Sequence, residues 1–154
     1  MIEKIISGGQ TGVDRAGLDA AIELGIPYGG KVPKGRLSED GGVPMKYDLI
    51  ELDSDRYPVR TRANVMDADG TLLLCSKEQL ARSRGTALTL AFARQYERPW
   101  WVADPTRSHH VARVVAWINE HDIKVLNVAG PRESKCPGIH AQSVSFLKSV
   151  LQPL

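Results

Sequence analysis

A short apolar segment near the start of the chain runs through two glycines directly into a helical pattern. Residues 5–16 read Ile-Ile-Ser-Gly-Gly-Gln-Thr-Gly-Val-Asp-Arg-Ala. Glycine lets the chain turn without a Cβ clash, and the first N–H groups of the following helix then point above the end of the strand. The pattern is therefore typical either of a ligand-free strand-to-helix turn in an α/β domain or of a pocket for an anion such as phosphate.

Glycine and a cation recur after three later strand-like runs. These later segments are residues 28–35, 83–86 and 130–134. In an open parallel sheet such loops lie at the carboxyl ends of the strands, where α/β proteins bind their ligands. The recurrence favours the anion pocket, and we expect the loops at residues 8–12 and 83–86 to hold one phosphate-containing ligand together.

Composition is consistent with one α/β domain spanning residues 1–154. A chain of 154 residues that is 42% hydrophobic can bury one full core but is too short for two. The formal charge of +2 gives no basis for binding nucleic acid, which needs a concentrated basic face. No segment suits a membrane span or a signal peptide, and the two cysteines suit a reducing compartment, so the sequence predicts a cytoplasmic protein.

Strand and helix patterns alternate along the chain. Strands are predicted at residues 4–7, 26–30, 70–75, 98–102 and 124–129, and helices at residues 14–24, 62–67, 86–96, 108–121 and 138–151, the second helix being capped by Thr61. Residues 31–55 are polar, are interrupted by glycine and proline, and receive no assignment. The alternation predicts a doubly wound, mainly parallel sheet with helices on both faces.

Two common nucleotide-binding fingerprints do not fit. A dinucleotide fold needs Gly-x-Gly-x-x-Gly and an acid at the end of the second strand, whereas the chain has Gly-Gly-Gln-Thr-Gly at 8–12 and Gly-Gly-Lys at 29–31. A P-loop needs Lys and Ser or Thr where Arg36 and Leu37 stand. A nicotinamide cofactor and a P-loop nucleotide site are both disfavoured.

Taken together, the motifs resemble the molybdenum cofactor carrier protein family. The matching segments are residues 8–19, 29–35, 62–65 (at Arg62, Asn64 and Val65), 69–73, 83–86 and 127–134, so the resemblance covers nearly the whole chain. It implies a single-domain Rossmann-like fold in a wider group that includes lysine-decarboxylase-like proteins and cytokinin-activating phosphoribohydrolases. It also implies a small phosphorylated ligand, with molybdenum cofactor (molybdopterin) as the candidate, a homo-oligomer, and molybdoenzymes as recipients.

One departure from the wider group bears on chemistry. Its phosphoribohydrolases carry Gly-Gly-x-Gly-Thr-x-x-Glu, and the glutamate takes part in cleaving the N-glycosidic bond. This chain keeps Gly85 and Thr86 but has Thr89 in place of the glutamate. A binding protein therefore ranks above a nucleoside 5′-monophosphate phosphoribohydrolase, which would have to use Asp14 or Glu133 as its carboxylate. A nucleotide-sensing domain is the other alternative. No catalytic residue is assigned.

The predicted ligand-binding residues lie in the glycine-containing loops. They are Gly8, Gly9, Gln10, Thr11, Gly12, Asp14, Arg15, Lys31, Arg84, Gly85, Thr86, Gly130, Arg132, Glu133 and Ser134. An acid in a first helical turn is favoured by the helix dipole alone, so Asp14 is equally consistent with a structural role. Arg84 and Arg132 each neighbour a glycine at a strand end, which favours anion binding.

No metal site is predicted. Cys136 and His140 lie close in sequence without further ligands and fit ordinary loop residues better than a metal site. His109 and His110 are adjacent at the start of a helix and cannot both face one metal ion.

Overall fold

The computed structural model, which describes residues 1–152, contains seven short strands and six helices in the order β1-α1-β2-β3-β4-α2-β5-α3-α4-β6-α5-β7-α6. The strands are β1 Lys4–Ile6, β2 Tyr28–Gly29, β3 Lys31–Val32, β4 Ile50–Glu51, β5 Gly70–Leu74, β6 Trp100–Ala103 and β7 Val125–Ala129. The helices are α1 Val13–Leu24, α2 Tyr57–Asp67, α3 Lys77–Arg82, α4 Arg84–Gln95, α5 His110–Glu120 and α6 Ile139–Leu151. The last two positions of the domain expected over residues 1–154 lie outside the described residues.

Five of the strands form one parallel sheet in the order β2-β1-β7-β5-β6. The last strand in sequence, β7, lies at the centre, with Asn127 opposite Ile6 on one side and Thr71 on the other. The chain leaves β1 towards one edge of the sheet and leaves β5 towards the other. Such a change of direction opens a crevice at the carboxyl ends of the central strands.

The helices form two groups that cover the two faces of the sheet. Helix α6 packs against α1 and α5, whereas α4 packs against α2 and α3. The first group contacts β1, β7 and β6, and α4 contacts β5 and β6. All five residues of β5 are buried, as expected for a strand covered on both faces. The predicted doubly wound fold is confirmed. No helix among residues 1–152 is long and apolar enough to cross a bilayer.

The unassigned segment at residues 31–55 contains a second, two-stranded sheet. Strands β3 and β4 pair in parallel, with Lys31 opposite Ile50. A small separate core of Leu18, Val32, Val43 and Tyr47 fixes this segment against α1. Strands of two residues carry too little periodicity to be recognised in a sequence.

Two helix predictions need correction. Helix α2 begins at Tyr57 with Arg56 as its N-cap, so the prediction that Thr61 caps it was wrong. Pro58 occupies the first turn, where its fixed φ suits a helix start. Helix α3 was not predicted, although Ser76 and Gln79 form a complete capping box at its start.

Candidate anion-binding site

A cavity of about 510 Å³ opens at the carboxyl edge of the sheet, next to the central strands. It is lined by the β1–α1 loop, one side of α2, the start of α4 and the segment that follows β7. Eight of the predicted ligand residues line it: Gly8, Gln10, Asp14, Arg84, Gly85, Thr86, Gly130 and Arg132. The loops at residues 8–12 and 83–86 therefore face one cavity.

The charge of the lining is strongly asymmetric. Its cations are Arg60, Arg82, Arg84, Arg132 and Lys135. Asp14 is the one carboxylate among the lining residues. A concave site with this excess of positive charge concentrates anions and stabilises them once they are bound.

The N-terminus of α4 offers backbone donors to this cavity. Ser83 caps the helix by accepting a hydrogen bond from Thr86 N at 3.3 Å. Within residues 1–152, the N–H groups of Arg84 and Gly85 donate no hydrogen bond, and the Arg84 side chain forms no ion pair. A Cβ added at Gly85 would meet nothing within 4 Å. These free donors at a helix N-terminus make a typical anion site.

Several backbone N–H groups of the β1–α1 loop donate hydrogen bonds to other protein groups. Thr11 N donates to Gln10 Oε1 at 3.1 Å, and Val13 N donates to Pro131 O at 3.3 Å. Gln10 N donates to Asp14 Oδ2 at 3.3 Å. The N–H groups that the sequence assigned to a phosphate are therefore partly engaged with neighbouring protein groups.

Asp14 and Arg60 form a buried pair at the inner end of the cavity. Arg60 Nη1 donates to Gly8 O at 2.8 Å and lies 3.7 Å from Asp14 Oδ2. Both residues are more than nine-tenths buried. Burial raises the pKa of Asp14 to about 6, and the Arg60 charge opposes this rise.

Arg15 and Lys31, two predicted ligand residues, lie outside the cavity lining. Arg15 donates to both carboxylate oxygens of Asp40, at 2.6 and 2.8 Å, and holds the pKa of Asp40 well below its usual value. Lys31 pairs with Asp67 at 2.7 Å, and its backbone N–H donates to Asn64 Oδ1. Both cations instead secure the segment that contains the small second sheet.

Thr11, Ser134 and Glu133 also make structural contacts outside the lining. The Thr11 and Ser134 hydroxyls both donate to Glu39, each at 2.6 Å. Glu133 accepts from Gly138 N at 2.6 Å and from His140 N at 3.0 Å, at the start of α6.

Gly9 and Gly12, the remaining predicted residues, are required by the fold of the loop. Gly9 has φ +76°, and a Cβ there would lie 3.1 Å from the side chains of Val32 and Val43. Gly12 has φ +80°, and a Cβ there would overlap Pro131 O. Neither glycine lines the cavity.

Sequence reasoning missed most of the α2 contribution to the cavity. Tyr57, Arg60 and Asn64 line it from this helix. Arg60 and Asn64 are four residues apart and therefore lie on one helical face, next to the buried Val65. The misplaced start of α2 hid this signal, because Arg60 then lay outside the predicted helix. Arg82 and Lys135 were also missed.

Thr89, at the position where the resemblance to the phosphoribohydrolases predicts glutamate, lines the cavity. Its hydroxyl donates to Gly85 O at 2.9 Å within α4. This position supplies no acid. No group of three or more His, Cys, Asp or Glu side chains within residues 1–152 is placed to hold a metal ion. His140 forms a hydrogen bond instead, with its Nε2 atom 2.7 Å from Asp19 Oδ2.

Comparisons with known proteins agree with this architecture. The model of the circularly permutated YpsA SLOG family matches residues 5–151. A crystal structure of a protein from Syntrophus aciditrophicus SB, named "Putative molybdenum carrier protein", has 46% sequence identity and a TM-score of 0.93. That match covers 98% of this chain and 96% of the other chain. No curated protein matches significantly. The family resemblance predicted from the motifs is confirmed.

Proposed function

We propose that this chain, which belongs to the circularly permutated YpsA SLOG family, binds and carries a small phosphate-bearing cofactor. The observation that carries the proposal is the set of five cations around one cavity, together with the open N-terminus of α4. Arg84 and Arg82 form no ion pair within the described part of the chain, so their charge is available to a ligand. A phosphate bound there receives backbone N–H donors and guanidinium groups at once.

The ligand that we propose is the pterin-based molybdenum cofactor. Two observations support this choice. The Syntrophus aciditrophicus protein, 46% identical, carries a name that refers to molybdenum. A cavity of about 510 Å³ lies in the size range of small-molecule and cofactor sites.

Delivery is part of the proposal, with apo-molybdoenzymes as recipients and a homo-oligomer as the carrier. The exposed edge strand β6 supports self-association, because Trp100 and Trp101 are more than one-third exposed there. Light scattering of the purified chain measures the oligomeric state directly. A monomer at all concentrations contradicts this part of the proposal without affecting ligand binding.

A second candidate function is hydrolysis of a nucleoside 5′-monophosphate. The favouring observation is Asp14, a cavity carboxylate whose pKa is raised by burial to about 6, a direction that suits proton transfer. Thr89 and Glu133 argue against it, since the first is not an acid and the second caps α6. A role as a nucleotide sensor shares the same cavity and differs only in the ligand.

Calorimetry and a base-release assay separate these functions. Molybdenum cofactor released from a molybdoenzyme, guanosine 5′-monophosphate and inorganic pyrophosphate are each titrated into the purified protein. We expect binding of the cofactor without release of base from the nucleotide, and mass spectrometry of the native protein should identify a phosphorylated pterin. Failure of all three compounds to bind overturns the proposal, and rapid release of guanine that Asp14→Asn abolishes favours the hydrolase.

A further inference from the structure

The inner and outer parts of the cavity differ in chemistry. Arg82, Arg84 and Lys135 are exposed and form a cationic mouth. Asp14, Arg60 and Asn127 are 7%, 8% and 2% exposed and form a buried floor. A ligand that spans the cavity therefore meets free positive charge at one end and a mixed set of polar groups at the other.

The floor carries two acceptor oxygens without partners. Asp14 uses Oδ2 for Gln10 N, and Asn127 uses Nδ2 for Thr71 Oγ1. Within residues 1–152, Oδ1 of Asp14 and Oδ1 of Asn127 accept no hydrogen bond. In that range, Ser143 Oγ is the one fully buried side-chain N or O atom that has no hydrogen-bond partner. The two Oδ1 atoms also have no partner, so they cannot be fully buried and must retain some accessible surface. Because both residues line the cavity, these oxygens are available to a ligand.

Arg60 adds donors to the same floor. Its Nη1 is engaged with Gly8 O, whereas Nε and Nη2 make no hydrogen bond within the described part of the chain. The floor thus combines a carboxylate oxygen, an amide oxygen and guanidinium N–H groups.

A carboxylate in an anion site opposes the binding of phosphate beside it, and the free Oδ1 of Asp14 favours a ligand that brings N–H donors to the floor. We propose that the floor recognises a 2-amino-4-oxopyrimidine edge, the edge shared by guanine and the pterins. Its amino and ring N–H groups donate to Asp14 and Asn127, and its carbonyl accepts from Arg60. This inference rests on the proposed function, in which the phosphate of the same ligand occupies the mouth.

Paired nucleotides test the inference in the intact protein. Guanosine 5′-monophosphate and inosine 5′-monophosphate differ only by the 2-amino group, whose N–H would donate a hydrogen bond to Asp14. Loss of a hydrogen bond to a charged group corresponds to about 10- to 100-fold in affinity. We therefore expect guanosine 5′-monophosphate to bind about 10- to 100-fold more tightly.

Asp14→Asn should reverse the preference at this position. An asparagine amide can donate to a 2-oxo group, so the variant should favour xanthosine 5′-monophosphate over guanosine 5′-monophosphate. Inorganic pyrophosphate should bind the variant at least as tightly as the original protein, because one opposing charge is gone. Asp67→Asn, which changes an exposed carboxylate outside the cavity, is the matched control and should leave the nucleotide preference unchanged.

The outcomes separate this inference from the proposed function. If pyrophosphate binds while guanosine and inosine 5′-monophosphates bind equally, the floor assignment is overturned and the anion carrier stands. If no phosphate compound binds, the proposed function itself fails. Should Asp14→Asn not fold, the two-nucleotide comparison in the unaltered protein still decides the matter.

Discussion

Two glycine-containing segments at helix starts face the same cavity, the turn before α1 (residues 9–12) and the first turn of α4 (residues 84–86), and they use glycine for different purposes. At the start of α1, Gly9 and Gly12 adopt positive φ and are enclosed by protein atoms. At the start of α4, Gly85 has an ordinary φ and faces open space. The first turn needs glycine because its backbone has positive φ and leaves no space for a Cβ, whereas nothing in the fold explains glycine in the second turn.

The backbone donors follow the same division. In the first turn Thr11 N and Val13 N donate within the protein, which ties the turn to Pro131 after β7. In the second turn the N–H groups of Arg84 and Gly85 have no protein acceptor within residues 1–152. A glycine-rich turn before a helix is therefore weak evidence for an anion site until its donors have been accounted for.

The largest effect should come from a methyl group added to the first turn. Gly12→Ala places Cβ against a backbone carbonyl at φ +80°, and we expect a loss of more than about 3 kcal/mol in the free energy of unfolding. Gly25→Ala is the matched control, because Gly25 has φ +69° with nothing within 4 Å and should lose only about 1 kcal/mol. Urea unfolding measures both. Equal losses would show that enclosure of the first turn is unimportant.

A somewhat smaller effect should appear in the pH dependence of stability. Folding raises the pKa of Asp14 from 3.8 to about 6, so the ionised form destabilises the folded state by about 3 kcal/mol. This contribution is absent below about pH 4, develops between about pH 4 and pH 6, and is complete above that range. Asp14→Asn should therefore gain stability relative to the original protein between pH 4 and pH 7. A constant difference between the two proteins across that range contradicts the buried assignment.

Removal of one cation from the second turn should weaken ligand binding without harming the fold. We expect Arg84→Ala to lower pyrophosphate affinity by about 10-fold or more, because a charged hydrogen-bonding group is lost. Arg94→Ala, on the same helix but outside the cavity, is the control and should bind normally. Calorimetry gives both affinities, and thermal unfolding should place both variants within about 0.5 kcal/mol of the original protein. Equal affinities in the two variants would remove α4 from the site.

Local patterns sufficed for most of the fold. The apolar run of β5 and the helical spacing of apolar residues in α1 can each be recognised within a few residues. The alternation of such strands and helices along the chain predicts a parallel sheet. The central position of β7 and the ribbon of β3 and β4 depend on pairing between distant segments. The position of β7 in the sheet leaves no local signal, and the two-residue strands β3 and β4 are too short to show a periodic pattern.

The site was only partly predictable for a related reason. Arg84 and Arg132 stand beside glycines, so sequence alone pointed to them. Arg60 reaches the cavity by bonding Gly8, 52 positions away. Arg15 and Lys31 had the same local signal as Arg84, but their partners Asp40 and Asp67 direct them elsewhere. A cation's role depends on which carboxylate the fold places beside it, and that choice is tertiary.

The smallest effect provides the sharpest comparison between the two turns. Gly85→Ala adds a methyl group at a helical position where no protein atom lies within 4 Å. Alanine is the better helix former, so we expect the free energy of unfolding to rise by about 0.5 kcal/mol. If the free N–H groups of α4 hold a phosphate, the same methyl group stands in the path of the ligand and should lower affinity by about 3- to 10-fold.

Opposite signs for stability and binding distinguish a ligand site from a structural turn. Gly12→Ala should damage both properties, because its methyl group meets protein, whereas Gly85→Ala should improve one and impair the other. Thermal unfolding with and without pyrophosphate measures both quantities on one sample of each variant. A Gly85→Ala protein that is more stable and binds pyrophosphate as tightly as the original would mean that the ligand does not approach this backbone, and the phosphate would then have to be sought among Arg60, Arg132 and Lys135.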